Sequence, residues 1–471
     1  MTAKIPAALA AILLAGCVAT PTSTTVAPAA PASWQAPLPA IAGMTSADLG
    51  ADAGAWWATF GDAELPRLVA AAQAASADLA GARARIDRAR AERIYLGLAL
   101  SPQLHATARA SHGRADIALP VATVGSAGLQ ASWELDLFGA NAAAARAAQA
   151  RLEAAGVHWH ALRVAVAAEV GSTYLALRAC EAQQQLAESD ARSRDETARL
   201  SGLTAKAGFT APADAELARA AAAQSRNRSR QQAAACDGLV KALVALTARS
   251  EPELRSQLAA GRARLAQPQA LVPSTLPAAL LAQRPDLAEA ALAVASAAGE
   301  HDAAAGRQWP QVTLAGSLAA VQTRSGDSRR SGSTWSFGPL QVSFPLFDQG
   351  ALAANKRAAE AEYEATLVAY QARARQAVSE VEQAFVALHD TAARSDDARL
   401  AVAGFEASLR AVEARHRGGL ASLFELEDAR RNALGAQSGL IELQRERADA
   451  WITLYRALGG GWQAGAPLPN S

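Results

Sequence analysis

The sequence predicts an α+β membrane protein in which long helical hairpins are joined to short two-faced β-strands. Three features support this fold class. They are an internal duplication, a proline-free stretch of about sixty residues after Gly139, and four segments in which apolar and polar side chains alternate. The composition agrees, because 51% of the residues are hydrophobic but only 5% are aromatic, and alanine favours helices more than it fills a core.

The N-terminus has the layout of a secretory signal. Lys4 precedes an apolar stretch over residues 7–15, which is too short to span a bilayer, and small residues then lead to Cys17. The run Leu14-Ala15-Gly16-Cys17 resembles a bacterial lipobox, which implies cleavage before Cys17 and a covalent lipid on it. An ordinary signal peptide with an incidental cysteine is the alternative.

We therefore assign residues 1–16 to the signal peptide and residues 17–40 to a lipidated N-terminus and tether rich in Pro, Ala and Thr. Val18 follows the cysteine at a position where lipoproteins retained in the inner membrane usually have aspartate. This favours a location in the outer membrane, with the chain anchored by lipid and extending into the periplasm.

The mature chain consists of two copies of one unit. Residues 77–79 align with residues 285–287 at an offset of 208, and Tyr174 aligns with Phe385 at an offset of 211. Such a register indicates a duplication rather than chance. The predicted units are a first repeat over 41–270, a second repeat over 271–462 and a C-terminal tail over 463–471.

Each repeat shows the same order of elements: a helix, two strands, a long helix, a tight turn and a returning helix. Glycine supplies the positive φ that ends helices and proline cannot continue one, so the turns fall at Gly208 and at Gly418-Gly419. The predicted helices lie at about 64–98 and 286–307, the strands at about 102–111, 127–138, 310–321 and 333–347, and the helical hairpins at about 140–248 and 350–458.

The four strands are apolar on one face and polar on the other, as in Leu129, Ala131 and Trp133 alternating with Gln130 and Ser132. Such strands fit either a soluble sheet with one buried face or a transmembrane barrel. Helices of about 65 residues would reach about 100 Å, far beyond the need of a globular domain, and favour the barrel. Because four strands cannot close a barrel, several chains must share one.

Five motifs resemble the outer-membrane efflux lipoproteins of the OprM and NodT type, which are relatives of TolC. They occur in the family's order along nearly the whole mature chain. The motifs are WWATFGD (56–62), WELDLFG (133–139), RPDL (284–287), FPLFDQG (344–350) and LYRALGGGW (454–462).

The resemblance implies a homotrimer in which four strands from each chain form one 12-stranded β-barrel in the outer membrane, continued by a long periplasmic α-helical barrel. It also implies the passive exit duct of a tripartite efflux pump. The implied partners are a periplasmic membrane-fusion adaptor, an inner-membrane transporter of the RND type and outer-membrane lipid. Family members catalyse nothing, and the resemblance implies no cofactor beyond the lipid on Cys17.

The tip of the second hairpin holds the candidate aperture. Ser422 and Glu425 form a capping box, which alone explains their presence. In TolC-like channels the matching tip carries acidic residues that face the closed pore. The resemblance therefore makes Glu425 and Asp428 aperture candidates, Arg431 a tether and Phe424 an apolar constriction, and three copies would form a ring of carboxylates that favours cations.

The turns at Gly208, Gly418 and Gly419 are the expected contacts for the adaptor. Cys180 and Cys236 each lie 28 residues from Gly208, so the two sulfurs should meet across the antiparallel hairpin. Because the periplasm is oxidising, we predict a disulfide, with two buried free thiols as the alternative.

Other functions find little support in the sequence. A net charge of +1 gives no reason to expect nucleic acid, and His158 and His160 lie on different faces of a helix, so we expect no metal site. No catalytic motif argues for an enzyme. Two alternatives remain: a periplasmic coiled-coil lipoprotein acting as an envelope spacer, which leaves the two-faced strands unexplained, and the outer-membrane component of a type I protein secretion system.

Overall fold

The structure is a computed structural model of the chain. Cys17, the predicted signal peptide and the last six residues of the predicted tail lie outside the residues that the structure describes. Those residues are 22–24, 26, 31, 33–37, 53–114, 117, 120–268 and 281–465.

Both halves of the chain share one order of elements, which is a helix, two strands, a long helix and a returning helix, and the first half has three further short helices. The first half contains α1 (Ala53–Ala58), α2 (Glu64–Ala75), α3 (Ala77–Leu98), β1 (Gln103–Gly113), β2 (Ala122–Leu135), α4 (Ala140–Lys206), α5 (Pro212–Thr247) and α6 (Glu251–Leu258). The second half contains α7 (Pro285–Gly306), β3 (Gln311–Ser325), β4 (Ser328–Ser343), α8 (Ala351–Arg417) and α9 (Leu423–Ala457).

The prediction of a single helix over 64–98 is wrong, because the segment forms two helices, α2 and α3. Ser76 interrupts it with an extended backbone (φ −66°, ψ 119°), and its hydroxyl oxygen accepts a hydrogen bond from the amide of Leu79. Serine competes with the helix for backbone hydrogen bonds, which is why it caps α3 instead of continuing α2.

The strands form one antiparallel sheet in the order β1-β2-β3-β4. Residues directly opposite each other point to the same face, and one such row is Ala106, Leu129, Leu318 and Trp335. The rows two residues away along each strand are also apolar, except for Ser333. We call this side of the sheet the apolar face; the other side carries mainly polar residues.

The strand bounds differ from the predicted ones both at the end of the sheet near the long helices and at the opposite end. β2 ends at Leu135, so the predicted end at residue 138 is wrong: the carboxylate of Asp136 accepts the backbone N–H groups of Asn141 and Ala142 at 3.0 and 2.7 Å and starts α4. β4 likewise ends at Ser343, before the predicted residue 347. β3 and β4 also continue past the predicted loop and meet at a tight turn.

Two helical hairpins extend from the sheet. α4 and α8 contain 67 residues each, which corresponds to about 100 Å. Their turns are left-handed at Gly208 (φ 79°) and Gly419 (φ 71°), where glycine avoids the steric cost of a Cβ atom. None of the helices in the described ranges is both long and apolar enough to cross a membrane.

The main core joins motifs that are far apart in the sequence. Trp56 stacks on Tyr455 with ring centroids 5.3 Å apart, and Trp57 meets the same ring edge-on at 5.0 Å. Gly171 lies against Trp57, where an added Cβ would come within 2.5 Å of the indole ring. The motifs that contain Trp57 and Tyr455 are therefore packed around the middle of α4.

The predicted tether is packed against the helices in its described residues. The carboxylate of Asp302 accepts hydrogen bonds from the amide and hydroxyl of Thr22, the latter at 2.6 Å. Further along, the carboxylate of Glu382 accepts the amides of Gln35 and Ala36 at 2.8 and 2.7 Å. Thr22 therefore binds α7, and Gln35 and Ala36 bind α8; we call these described tether residues the strap.

A buried arginine joins three helices near the main core. Arg284 donates to the carbonyl oxygen of Ala457 at 2.7 Å, to Asp286 at 2.7 Å and to Glu380 at 2.6 Å. Burial alone would raise the pKa of Asp286, but hydrogen bonding to Arg284 and the charges of Arg284 and Arg373 outweigh it, so that this pKa lies below its usual range.

The lowered pKa predicts a pH-dependent contribution to stability. Asp286 should stabilise the fold above about pH 4, its ordinary pKa, and lose this effect as pH falls through the lower folded-state value. The difference in thermal unfolding temperature between the wild type and Asp286→Asn should be largest at pH 7 and shrink below pH 4. Asp87→Asn, at an exposed ion pair, is the control; an Asp286→Asn difference that does not depend on pH would contradict the assignment.

Candidate functional site: the periplasmic tip

The tip of the second hairpin is built around a capping box. The hydroxyl oxygen of Ser422 accepts the amide of Glu425 at 3.1 Å, and the carboxylate of Glu425 accepts the amide of Ser422 at 2.9 Å. Arg415 lies 4.0 Å from the same carboxylate. The carboxylate of Glu425 therefore caps the first turn of α9.

The other candidates follow on the next turns of α9. Asp428 forms an ion pair with Arg431, and its second carboxylate oxygen accepts the side-chain amide of Asn432 at 3.3 Å. Phe424 lies one turn before Asp428 and is 71% exposed. The structure thus groups Phe424, Asp428 and Arg431 on one face, whereas the carboxylate of Glu425 reaches back to Ser422.

This face borders a groove of about 690 Å³ between α9 and the first hairpin. Its walls come from α4, α5 and the first half of α9, and they combine charged and apolar side chains. Phe424, Asp428 and Arg431 line it, together with Arg194, Leu217 and Glu427.

An ionic network in the wall of the groove was missed by sequence reasoning. Arg430 is 7% exposed and donates to the hydroxyl of Thr197 at 2.8 Å and to Glu427 at 3.0 Å. Glu427 also pairs with Arg194, which donates to Asp190 at 2.8 Å. Because Glu427 and Arg430 belong to α9, and the others to α4, this network joins the two hairpins.

The hairpin turns expose apolar side chains that the sequence reasoning also missed. Phe209, next to Gly208, is 83% exposed, and Leu420, next to Gly419, is 74% exposed. Gly418 has an ordinary negative φ, so only the second glycine of that pair takes the left-handed conformation. In the sequence, an apolar residue directly after the glycine of each turn indicates these exposed side chains.

The first hairpin contains a disulfide between Cys180 and Cys236, whose Cα atoms are 5.6 Å apart. Both residues are buried, at 8% and 5% exposure. The side-chain amide of Gln232 donates to the carbonyl oxygen of Cys180 at 3.3 Å. The bond therefore joins α4 and α5 well away from the turn.

A two-faced four-stranded sheet joined to helices of about 100 Å defines one protomer of a membrane channel with a helical tunnel. The chain belongs to the outer membrane efflux protein family, whose model matches residues 68–249 and 276–460. This confirms the resemblance. Three protomers form one 12-stranded barrel in the outer membrane, and their helices extend it into the periplasm.

Individual relatives agree with this membership. The chain is 28% identical to the pyoverdine export outer membrane protein OpmQ of Pseudomonas aeruginosa, covering 97% of this chain and 96% of OpmQ. It is 27% identical to the toluene efflux pump outer membrane protein TtgC of Pseudomonas putida, covering 97% and 95%. The outer-membrane channel OprN superimposes with a TM-score of 0.78 at 26% identity, covering 93% and 100%.

Neighbouring arginines allow a matched test of the buried network. Arg430→Ala leaves buried acceptors unpaired and should lower the free energy of unfolding by about 3 kcal/mol. Arg431→Ala removes an exposed ion pair and should cost less than about 1 kcal/mol. Thermal unfolding followed by circular dichroism measures both losses of stability. Equal losses for the two variants would contradict a stabilising role for the network between the hairpins.

The disulfide predicts a specific labelling pattern. A thiol reagent added to the denatured, unreduced protein should leave Cys180 and Cys236 unmodified, and prior reduction should make both reactive. Peptide mass spectrometry locates the label, and the Cys180→Ser/Cys236→Ser variant sets the background. Label on both cysteines before reduction would refute the bond.

Proposed function

We propose that this chain is the lipid-anchored exit duct of a tripartite efflux pump and passively conducts small molecules from an adaptor and an inner-membrane transporter to the cell exterior. One observation carries the proposal: the two-faced sheet runs directly into helices of about 100 Å, which is the span an outer-membrane duct needs to meet partners in the periplasm.

The adaptor binds the exposed hairpin turns. Gly208, Gly418 and Gly419 bring the chain round tightly, and Phe209 and Leu420 present apolar side chains at the turns. Aromatic side chains such as that of Phe209 are enriched at protein interfaces. The transporter behind the adaptor is of the RND type, as the resemblance to the OprM type implies.

The lipid on Cys17 anchors the chain close to the sheet. Thr22 is held by Asp302 in the last turns of α7, which leads into β3. Thr22 lies five residues after Cys17, a separation that spans at most about 18 Å. The strap thus supports a lipid position near the periplasmic side of the membrane.

The tip residues form the aperture with divided roles. Phe424 narrows the opening, Asp428 places a carboxylate there that Arg431 pairs with on the next turn of the same helix, and Glu425 caps α9. Glu425 and Asp428 of three protomers would give six carboxylates. Because Arg431 partly neutralises Asp428, the net negative charge at the opening, and with it the preference for cations, is smaller than six free carboxylates would give.

The duct itself does not select its substrate. Relatives are named for pyoverdine export and for toluene efflux, two very different molecules, which supports selection by the transporter upstream. These names also favour small-molecule efflux over polypeptide secretion.

Conductance tests both the duct and the aperture. Purified trimers should conduct ions in a planar bilayer, and Asp428→Ala/Arg431→Ala should raise the single-channel conductance several-fold by removing two long side chains from the opening. Glu216→Ala/Arg219→Ala removes a similarly exposed pair from the first hairpin and should leave conductance unchanged. Trimers that conduct in no variant would exclude the duct, and equal conductance in all variants would exclude the aperture.

A further inference from the structure

The sheet carries one cross-strand row of polar residues at the end farthest from the helices. His112 lies opposite Thr123, Thr123 opposite Arg324, and Arg324 opposite Arg329, so that all four strands contribute one residue. Directly opposite residues point to the same face. The 2.8 Å hydrogen bond between the His112 ring and the Thr123 hydroxyl agrees with this placement. We call these four residues the arginine row.

The arginine row lies on the apolar face. Each member is six residues from a member of the row Ala106, Leu129, Leu318 and Trp335, and an even spacing along a strand returns to the same face. Arg330, the neighbour of Arg329, lies opposite Thr323 and points to the other face. The arginine row therefore faces the lipid.

Its depth matches the outer lipid headgroups. Val312, opposite Leu135, begins the apolar face at the helix end, and Arg324 lies twelve residues further along β3. Twelve residues span about 41 Å along a strand, or about 31 Å along the membrane normal at a tilt of about 40°. The apolar band of such a barrel is about 25 Å tall, so the row lies just beyond it on the extracellular side.

The two arginines form a like-charged pair. Like charges directly opposite each other destabilise a sheet, yet Arg324 and Arg329 are such a pair and both are exposed. Among the described residues, no carboxylate lies within ion-pair distance of either guanidinium. Two adjacent guanidiniums match phosphate, which accepts paired hydrogen bonds from arginine.

We propose that the arginine row binds phosphate groups of anionic lipids in the outer leaflet. At this depth and on this face, lipid headgroups are the anions that the guanidiniums meet. The arginine row occurs once in each of the three protomers. Phosphate bound at all three rows would hold the barrel at one depth in the membrane. The inference rests on the barrel's place in the outer membrane and does not depend on what the duct carries.

Lipid retention tests the proposal with full-length trimers. Wild-type protein in phosphatidylcholine vesicles containing bisphosphorylated lipid A should retain that lipid when purified in mild detergent, measured by native mass spectrometry. Arg324→Ala/Arg329→Ala should retain about tenfold less. Arg109→Ala/Arg330→Ala removes two charges from the polar face of the same sheet and should retain as much as the wild type.

Further measurements distinguish lipid phosphate from free phosphate and distinguish loss of lipid binding from loss of conductance. Dephosphorylated lipid A should be retained poorly by every variant, and millimolar inorganic phosphate should not displace lipid A. Conductance of Arg324→Ala/Arg329→Ala should equal that of the wild type, and its trimer band on a gel reports folding. Equal lipid retention by this variant and the wild type, or full displacement by inorganic phosphate, would overturn the proposal.

Discussion

The structure depends on the cost of an unpaired backbone group in lipid. A sheet edge exposes a row of N–H and C=O groups, and hydrocarbon offers them no hydrogen-bond partner. Each chain supplies one antiparallel sheet with free edges at β1 and β4. Those edges are satisfied only when three chains close one barrel, so the trimer is a condition of the membrane fold.

The transition from strand to helix is the second constraint, because the backbone must change its hydrogen-bonding pattern within a few residues. Asp136 and Asp348 accept backbone N–H groups at the starts of α4 and α8. Gly139 and Gly350 take left-handed conformations directly before these helices. The two halves of the chain thus use the same device, which ends the strands earlier than the alternating pattern suggests.

Periodicity in the sequence predicts the class of each major element, because the patterns of strands and helices are local. Local patterns also place the turns and bring Cys180 and Cys236 together across the hairpin. They do not reveal the network of Arg430, Glu427 and Arg194, whose members are joined across 233 residues. Nor do they distinguish the cap role of Glu425 from a role in the pore, since both require a carboxylate at the same turn.

Cross-linking of the sheet edges tests the closed barrel most directly. Cysteines at Ala108 in β1 and, one at a time, at Ser331, Ser333 or Trp335 in β4 place a thiol on each edge of the protomer. If three chains close the barrel, at least one pair should give a covalent trimer on a non-reducing denaturing gel, and reduction should return it to monomers. Monomers alone for every pair would contradict a barrel shared by three chains.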